Sequence, residues 1–193
     1  MDAGTQFPRL TGTADVSVRP ATPQDGAEIA RVQVVTWRAA YRALLPTSVL
    51  DQWDDAAAAA AWTAAAGAPP RPGAGVLVAL ERATVAGFAA FAPAEETPDD
   101  AVGPVTEIAT LLVEPRWGRR GHGSRLLAAV ADLAAGAGAR ALQVWLPEED
   151  RVSAGFYESA GWAPDGWART LDTGGAPLRE LRWHTGLDDE EPR

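Results

Sequence analysis

The most informative stretch of the chain is Val113-Glu114-Pro115-Arg116-Trp117-Gly118-Arg119-Arg120-Gly121-His122-Gly123-Ser124. Before it, residues 107–113 (Glu-Ile-Ala-Thr-Leu-Leu-Val) are mostly apolar without strict alternation, the pattern of a strand covered on both faces. After it, Leu126, Leu127, Val130, Leu133 and Ala134 recur on one side of a helix that Gly136 and Gly138 end. Between the two, glycines let the chain turn with its amides pointing inward, and the helix start adds unpaired N–H groups and a partial positive charge. Arg119 and Arg120 supply formal charge beside them. Strand, glycine-rich turn and helix together make a seat for a diphosphate.

Two common versions of this device fit poorly. A P-loop needs Gly-x-x-x-x-Gly-Lys-Ser/Thr; Gly118 and Gly123 have the spacing, but Ser124 stands where lysine is required. A dinucleotide fingerprint needs Gly-x-Gly-x-x-Gly, yet after Gly121 and Gly123 the third place is Leu126, and the turn lies past mid-chain.

Toward the N-terminus, residues 16–19 form a short strand stopped by Pro20. Thr22, Pro23 and Asp25 then open a helix with a cap, a first-turn proline and a capping-box acid, and Ala30, Val34, Trp37 and Tyr41 give it one apolar face. Pro46 interrupts, Thr47 or Ser48 caps a short helix to Trp53, and Asp54-Asp55 opens an alanine-rich helix ending by Gly67. Residues 76–80 and 85–91 read as a β-hairpin, and the acidic segment 94–103 as an exposed loop.

Toward the C-terminus, residues 142–146 form a buried strand stopped by Pro147, and residues 150–160 a short helix capped by Gly161. Strands near 167–171 and 178–185 are joined through Gly174-Gly175. The order is β-α-α-α, a hairpin, then β-α-β-α-β-β, a mixed α/β layer structure. The chain divides into a flexible arm over residues 1–14, one domain over 15–187 and an acidic tail over 188–193.

The turn resembles the acetyl-CoA signature of the GNAT superfamily, Gln/Arg-x-x-Gly-x-Gly/Ala after a strand ending in Val-x-Pro. Val113-x-Pro115 and Gly121-x-Gly123 match; the leading position is Gly118, with arginine one place later at Arg119. A second stretch, residues 150–162, resembles the family's Asn-x-x-Ala-x-x-Phe-Tyr-x-x-x-Gly-Phe helix through Phe156, Tyr157 and Gly161, with Asp150, Ser153 and Trp162 as substitutions. Asp150, Ser153 and Tyr157 share one helical face, and Val152, Phe156 and Ala160 form the apolar face beside it. Residues 17–22 and the segment Trp37-Arg38-Ala39-Ala40-Tyr41 through Pro46 also look like bacterial members. The resemblance is strongest over residues 107–162.

It implies an α/β GNAT acyl-CoA N-acyltransferase fold: a mixed, mostly antiparallel central sheet flanked by helices. The strands at 107–113 and 142–146 splay to admit the cofactor, a bulge within 106–113 accommodating the change. It also implies acetyl-CoA as co-substrate, no metal, and direct transfer of acetyl to a primary amine of a small-molecule or peptide acceptor.

Residue by residue, Glu107 is the implied base and Tyr157 the proton donor to the departing thiolate. The Leu111 N–H is the oxyanion donor, and Leu112 and Val113 pair the pantetheine arm. Arg119, Arg120, Gly121, His122, Gly123 and Ser124 hold the diphosphate, with Asp150 and Ser153 as further cofactor-binding positions. Trp37 and Tyr41 wall the acceptor site. Relatives are commonly dimers, so a homodimer is an expected assembly. A non-catalytic acyl-CoA-binding module is the competing reading, and a protein using the turn for ATP or NAD the more distant one.

Composition narrows the chemistry. The chain has no cysteine and two histidines, His122 and His184, which excludes an acyl-cysteine intermediate and disfavours a histidine-rich metal site. A formal charge of −9 over 193 residues argues against nucleic acid and suits a cationic acceptor, although solvated acidic loops are the plainer reading. No apolar run is long enough to cross a membrane, and residues 1–13 lack a secretion signal, so the expected location is cytoplasmic.

Overall fold

In the computed structural model, residues 15–40, 53–95, 103–173 and 177–187 are described. The arm, the tail, Tyr41, the expected short helix before Trp53 and the Gly174-Gly175 turn lie outside the described residues. Strand β1 (Val16–Pro20) leads through a single 3-10 turn (Pro23–Asp25) into α1 (Gly26–Ala40), and α2 (Asp55–Gly67) follows. Then come β2 (Gly75–Glu81), β3 (Thr84–Pro93), β4 (Val105–Val113), α3 (His122–Gly136), β5 (Ala141–Pro147), α4 (Arg151–Ser159), β6 (Ala163–Leu171) and β7 (Leu178–Gly186).

The seven strands make one sheet in the order β1-β2-β3-β4-β5-β7-β6, antiparallel except where β4 meets β5. Each face of the sheet buries its own core. On one face, Ile29 and Val32 of α1 pack with Val76, Val78, Val85, Phe88 and Leu112, and Trp62 of α2 closes edge-to-face on Phe88 at 4.9 Å. On the other, Leu126, Leu127 and Val130 of α3 pack with Leu77, Phe91, Ile108, Leu142 and Val144, and Tyr157 and Trp162 complete the cluster. Burying one such Leu or Ile side chain is worth about 1.5–3 kcal/mol.

Several readings are adjusted by the structure. The buried arc of α1 runs through Ile29, Val32 and Thr36 as well as Ala30 and Val34, because the helix packs by its sheet-facing stripe. Leu133 is 49 % exposed, on the solvent side of α3, and Val152 is 84 % exposed on α4, where Tyr157 takes the buried place. Strand β6 starts at Ala163, four residues earlier than residue 167 and two after the left-handed Gly161 that follows α4. A bulge between Pro164 and Ala168 lets this edge strand carry its proline.

The break in the middle of the sheet positions the site. Parallel pairing of β4 and β5 runs only from Val105↔Ala141 to Ile108↔Val144, after which the strands part. At the same level the β3–β4 register shifts, Ala90 facing Thr110 and Phe91 facing Ile108, so Ala109 is the extra residue of a bulge. The bulge turns Ile108 and Leu112 to opposite faces although they are four residues apart. It therefore bends β4 away from β5 where the expected splay begins.

Candidate active site

The parting of β4 and β5 opens a cleft of about 750 Å³. Leu111, Leu112 and Val113 form its strand wall, the turn from Pro115 to Ser124 one end, and Asp150, Ser153, Phe156 and Tyr157 of the α4 segment the opposite wall. Thr36 and Ala40 of α1 reach it from the other sheet face.

The turn is held from behind. Buried Glu114 accepts from Arg31 of α1 at 2.8 Å and pairs with Arg116 at 2.7 Å. Trp117 N donates to the Glu114 carbonyl at 2.8 Å and Gly118 N to that of Pro115 at 3.1 Å, so a 3-10 turn uses the first amides. Beyond Gly118 this ends: among the described residues no main-chain carbonyl or side chain accepts the N–H groups from Arg119 to Ser124. The first helical bond of α3 runs from Arg125 N to the Gly121 carbonyl at 3.0 Å.

Arg119 (φ 63) and Gly121 (φ 80) are both left-handed, a backbone alternation that converges successive N–H groups into an anion-binding nest. At Gly123 a Cβ would lie 3.2 Å from Cε2 of Phe156, so only glycine lets α4 close on the turn without pushing that ring. These features fit a diphosphate: six main-chain donors, a helix start and no competing carboxylate cap.

The arginines and the histidine divide differently from expectation. Arg119 lines the cleft and has no carboxylate partner among the described residues. Arg120 does not line it; its guanidinium lies 3.4 Å from Glu81 Oε1 and stacks 5.0 Å above the Trp117 ring. His122 lends main chain to the cleft, but its ring is 1 % exposed and turned to the β2–β3 hairpin, Nε2 lying 2.9 Å from Glu81 Oε2. Glu81 thus ties the side chains of Arg120 and His122 away from the nest, which leaves their backbone as the contribution to it.

On α4, Tyr157 is 3 % exposed, set between the rings of Phe156 (5.1 Å) and Trp162 (4.9 Å), and faces the cleft. Asp150 and Ser153 also line it, but they are bonded to each other: Asp150 accepts from Ser153 N at 3.0 Å and from Ser153 Oγ at 2.7 Å, capping the helix. Glu107 lies outside the cleft lining, one residue before the last β4–β5 pair. Its Oε2 accepts from Gln143 Nε2 at 2.8 Å, and its Oε1 has no partner among the described residues.

Of the acceptor positions, Trp37 packs edge-to-face on Trp53 at 5.3 Å and against the α1-side core, so its neighbours Thr36 and Ala40 line the cleft in its place. Tyr41 is outside the described residues. Spacing alone would have found Thr36 and Ala40, which share a helical stripe at i, i+4. Gln143 and Glu81 carried no such signal, since each acts through a partner about forty residues away.

On the same sheet face as Gln143, Arg182 of β7 is wholly buried, its Nε donating to Asp165 at 2.7 Å and its guanidinium 4.7 Å from the Trp167 ring. His184, without an assigned role, faces Gln143 across the β5–β7 ladder. Among the described residues no group of three or more His, Asp or Glu could hold a metal, and no helix is long and apolar enough to cross a membrane.

A sequence profile of the Acetyltransferase (GNAT) family matches residues 35–162. The uncharacterized N-acetyltransferase YuaI of Bacillus subtilis is 30 % identical over 168 residues, 86 % of this chain and 90 % of that protein. Among solved structures, the PaiA N-acetyltransferase of Thermoplasma acidophilum in complex with coenzyme A superposes with a TM-score of 0.66 at 14 % identity, covering 90 % of this chain and 99 % of that one. The putative acetyltransferase yncA of Salmonella typhimurium with acetyl-CoA gives 0.63 at 19 % identity, covering 93 % and 98 %. The fold is therefore the one those proteins share.

Proposed function

Because the chain belongs to the GNAT acetyltransferase family, we propose that it transfers acetyl from acetyl-CoA directly to a primary amine of a small-molecule or peptide acceptor. The observation that carries this reading is the loss of β4–β5 pairing after Ile108↔Val144, which opens a cleft between the amide nest and Tyr157. Acetyl-CoA supplies an activated acyl group whose C–S bond breaks as the amine nitrogen bonds the carbonyl carbon. The remaining tasks fall to the chain's own residues.

Glu107, outside the cleft lining and one residue before the last β4–β5 pair, takes the proton the amine loses through an intervening water, with Gln143 holding Oε2 and leaving Oε1 to receive it. The Leu111 N–H, on the stretch of β4 that β5 has left, donates to the carbonyl oxygen as charge develops there. Tyr157 returns a proton to sulfur from a dry position between two aromatic rings. Amides from Arg119 to Ser124 and the Arg119 guanidinium hold the diphosphate, so both reactants meet at the splay. With no cysteine in the chain, transfer proceeds without an acyl-cysteine stage.

A thiol-release assay with acetyl-CoA and a panel of amines tests the reading, with Tyr157→Phe as its internal probe. The variant should lose about 100-fold in kcat, the usual share of a general acid, while acetyl-CoA affinity stays near that of the unmodified chain. An unchanged kcat removes Tyr157 from the scheme. Tight acetyl-CoA binding without release on any amine would favour a non-catalytic acyl-CoA-binding module.

A further inference from the structure

Arg125 is a cation that the scheme above leaves idle, and it stands where helix electrostatics disfavour one. It is an exposed residue at the first turn of α3, which has no acid and no side-chain cap. A helix start already carries a partial positive charge, so a guanidinium beside it costs stability where an acid would add some. Elsewhere the chain follows that rule: α1 and α2 open with Glu28 and Asp55, and α4 sets the Asp150 cap before its Arg151. Among the described helices α3 departs from it, in a chain whose formal charge is −9.

The side chain does not simply extend into solvent. Its Nη1 donates back to the Arg120 carbonyl at 3.0 Å, and a Cβ at Gly121 would lie 2.7 Å from that nitrogen, so the guanidinium lies against the middle of the turn. The neighbouring arginines have other commitments. Arg116 is paired with Glu114 and Arg120 with Glu81, while Arg119 lines the cleft. Arg125 is outside the cleft lining and has no carboxylate partner among the described residues. Its bond to the Arg120 carbonyl leaves most of the guanidinium's N–H donors unused.

Besides its diphosphate, coenzyme A carries a phosphate on the 3′-oxygen of its ribose. The thioester end must enter the cleft to reach Tyr157, so the adenosine, joined to the other side of the diphosphate, is left outside. Its 3′-phosphate is then one sugar ring away from the amide nest and beyond the cleft lining. Arg125 stands in such a place, beside the nest and outside the cleft.

We infer that Arg125 is a cofactor-binding residue whose guanidinium pairs with the 3′-phosphate of coenzyme A. The inference rests on the proposed function, since it takes the nest to hold the diphosphate. A phosphate monoester offers the guanidinium fork charge-assisted hydrogen bonds that the turn itself does not. A cation that is unfavourable beside an empty helix start becomes favourable once the cofactor is bound.

Calorimetry with coenzyme A and 3′-dephospho-coenzyme A, which lacks that phosphate alone, tests the assignment. The unmodified chain should bind coenzyme A about fivefold to tenfold more tightly than the dephospho form, as one exposed charge-assisted pair allows. Arg125→Gln should reduce this preference below about twofold, weakening coenzyme A and leaving the dephospho form unchanged. Arg125→Lys should keep part of it, through charge without the fork. Arg119→Gln should weaken both ligands alike and preserve the preference. Both side chains are exposed, so each variant should keep the circular dichroism of the unmodified chain.

A preference that survives in Arg125→Gln would overturn the inference. So would a loss shared equally by both ligands, the mark of a turn disturbed through the Arg120 carbonyl, or a preference abolished by Arg119→Gln instead. An unmodified chain that binds both ligands with equal affinity would remove the inference and leave the proposed function standing. One that binds neither would remove the proposed function, and this inference with it.

Discussion

Helices α1 and α3 begin by the same physics and end with opposite accounts of their free amides. At the start of α1, Asp25 accepts from Thr22 N at 2.7 Å, from Thr22 Oγ1 at 2.9 Å and from two nitrogens of Arg19 at 2.7 and 2.9 Å. Aspartates likewise close α2, where Asp54 accepts from Ala56 N and Ala57 N, and α4, where Asp150 accepts from Ser153 N. Helix α3 begins with left-handed Gly121, without a side-chain cap and without an acid in its first turn. Among the described helices, three starts are satisfied internally for stability, and one keeps its donors and dipole for something the chain does not contain. An uncapped start is informative here because the other described helices are capped.

Gly121→Asp gives α3 the acidic start of its neighbours and should produce the largest effect. A carboxylate placed in the nest competes for the amides and repels a diphosphate, so acetyl-CoA affinity should fall about 100-fold, given roughly 1.5–3 kcal/mol for each hydrogen bond to a charged group. The left-handed φ of 80 adds a local strain that aspartate bears better than most side chains, so the melting temperature should change only modestly. Acetyl-CoA binding at the original affinity, measured by calorimetry on a protein of unchanged circular dichroism, would show that the open helix start is not the cofactor's seat.

The same contrast explains what was legible in the sequence. Caps, prolines and glycines act locally, so Thr22-Pro23-Asp25, Asp54, Gly121 and Gly161 could be read directly, as could the strand–turn–helix around residues 113–124. The sheet break was expected through family resemblance, and the structure puts it after Ile108↔Val144 with the bulge at Ala109. Side-chain destinations were less legible. His122 and Arg120 sit in the glycine-rich turn, yet Glu81, on a hairpin about forty residues away, takes both. Leu133 and Val152 fit a helical apolar stripe, but the sheet they would cover is already covered by Val130 and Tyr157. Periodicity says which residues can face inward together; which of them do is set by strands distant in sequence.

Breaking the satisfied end of the comparison should cost stability and spare the cofactor. Its hydrogen bonds with Arg19 hold the Asp25 carboxyl down from an ordinary 3.8 to about 2, burial opposing and the Thr22 N–H and hydroxyl assisting. For a depressed carboxylate the contribution is complete above about 3.8 and is lost as pH falls toward about 2, amounting to about 2 kcal/mol. Asp25→Asn should therefore lower the melting temperature by about 4–8 °C at neutral pH, with the gap from the unmodified chain closing between pH 4 and 2. Acetyl-CoA affinity should not change. A gap that persists unchanged at pH 2 would mean that the Arg19–Asp25 pair is not what stabilises the start of α1.

Asp150 lies where the two kinds of helix start meet, since it caps α4 and also lines the cleft. Resemblance to the family's helix motif makes it a cofactor-binding position, whereas its geometry commits one oxygen to Ser153 N and the other to Ser153 Oγ. A carboxylate engaged in this way has little left to offer an anionic ligand, and its own charge discourages one. Asp150→Ala should thus cost about 1 kcal/mol of stability, the usual worth of an N-cap. Acetyl-CoA affinity should shift by no more than about twofold, since no charge-assisted bond to the ligand is removed. Chemical denaturation and calorimetry on the same variant separate the two roles: an affinity loss beyond that range with stability intact would move Asp150 from the capped helices to the side of α3, among residues kept open for the cofactor.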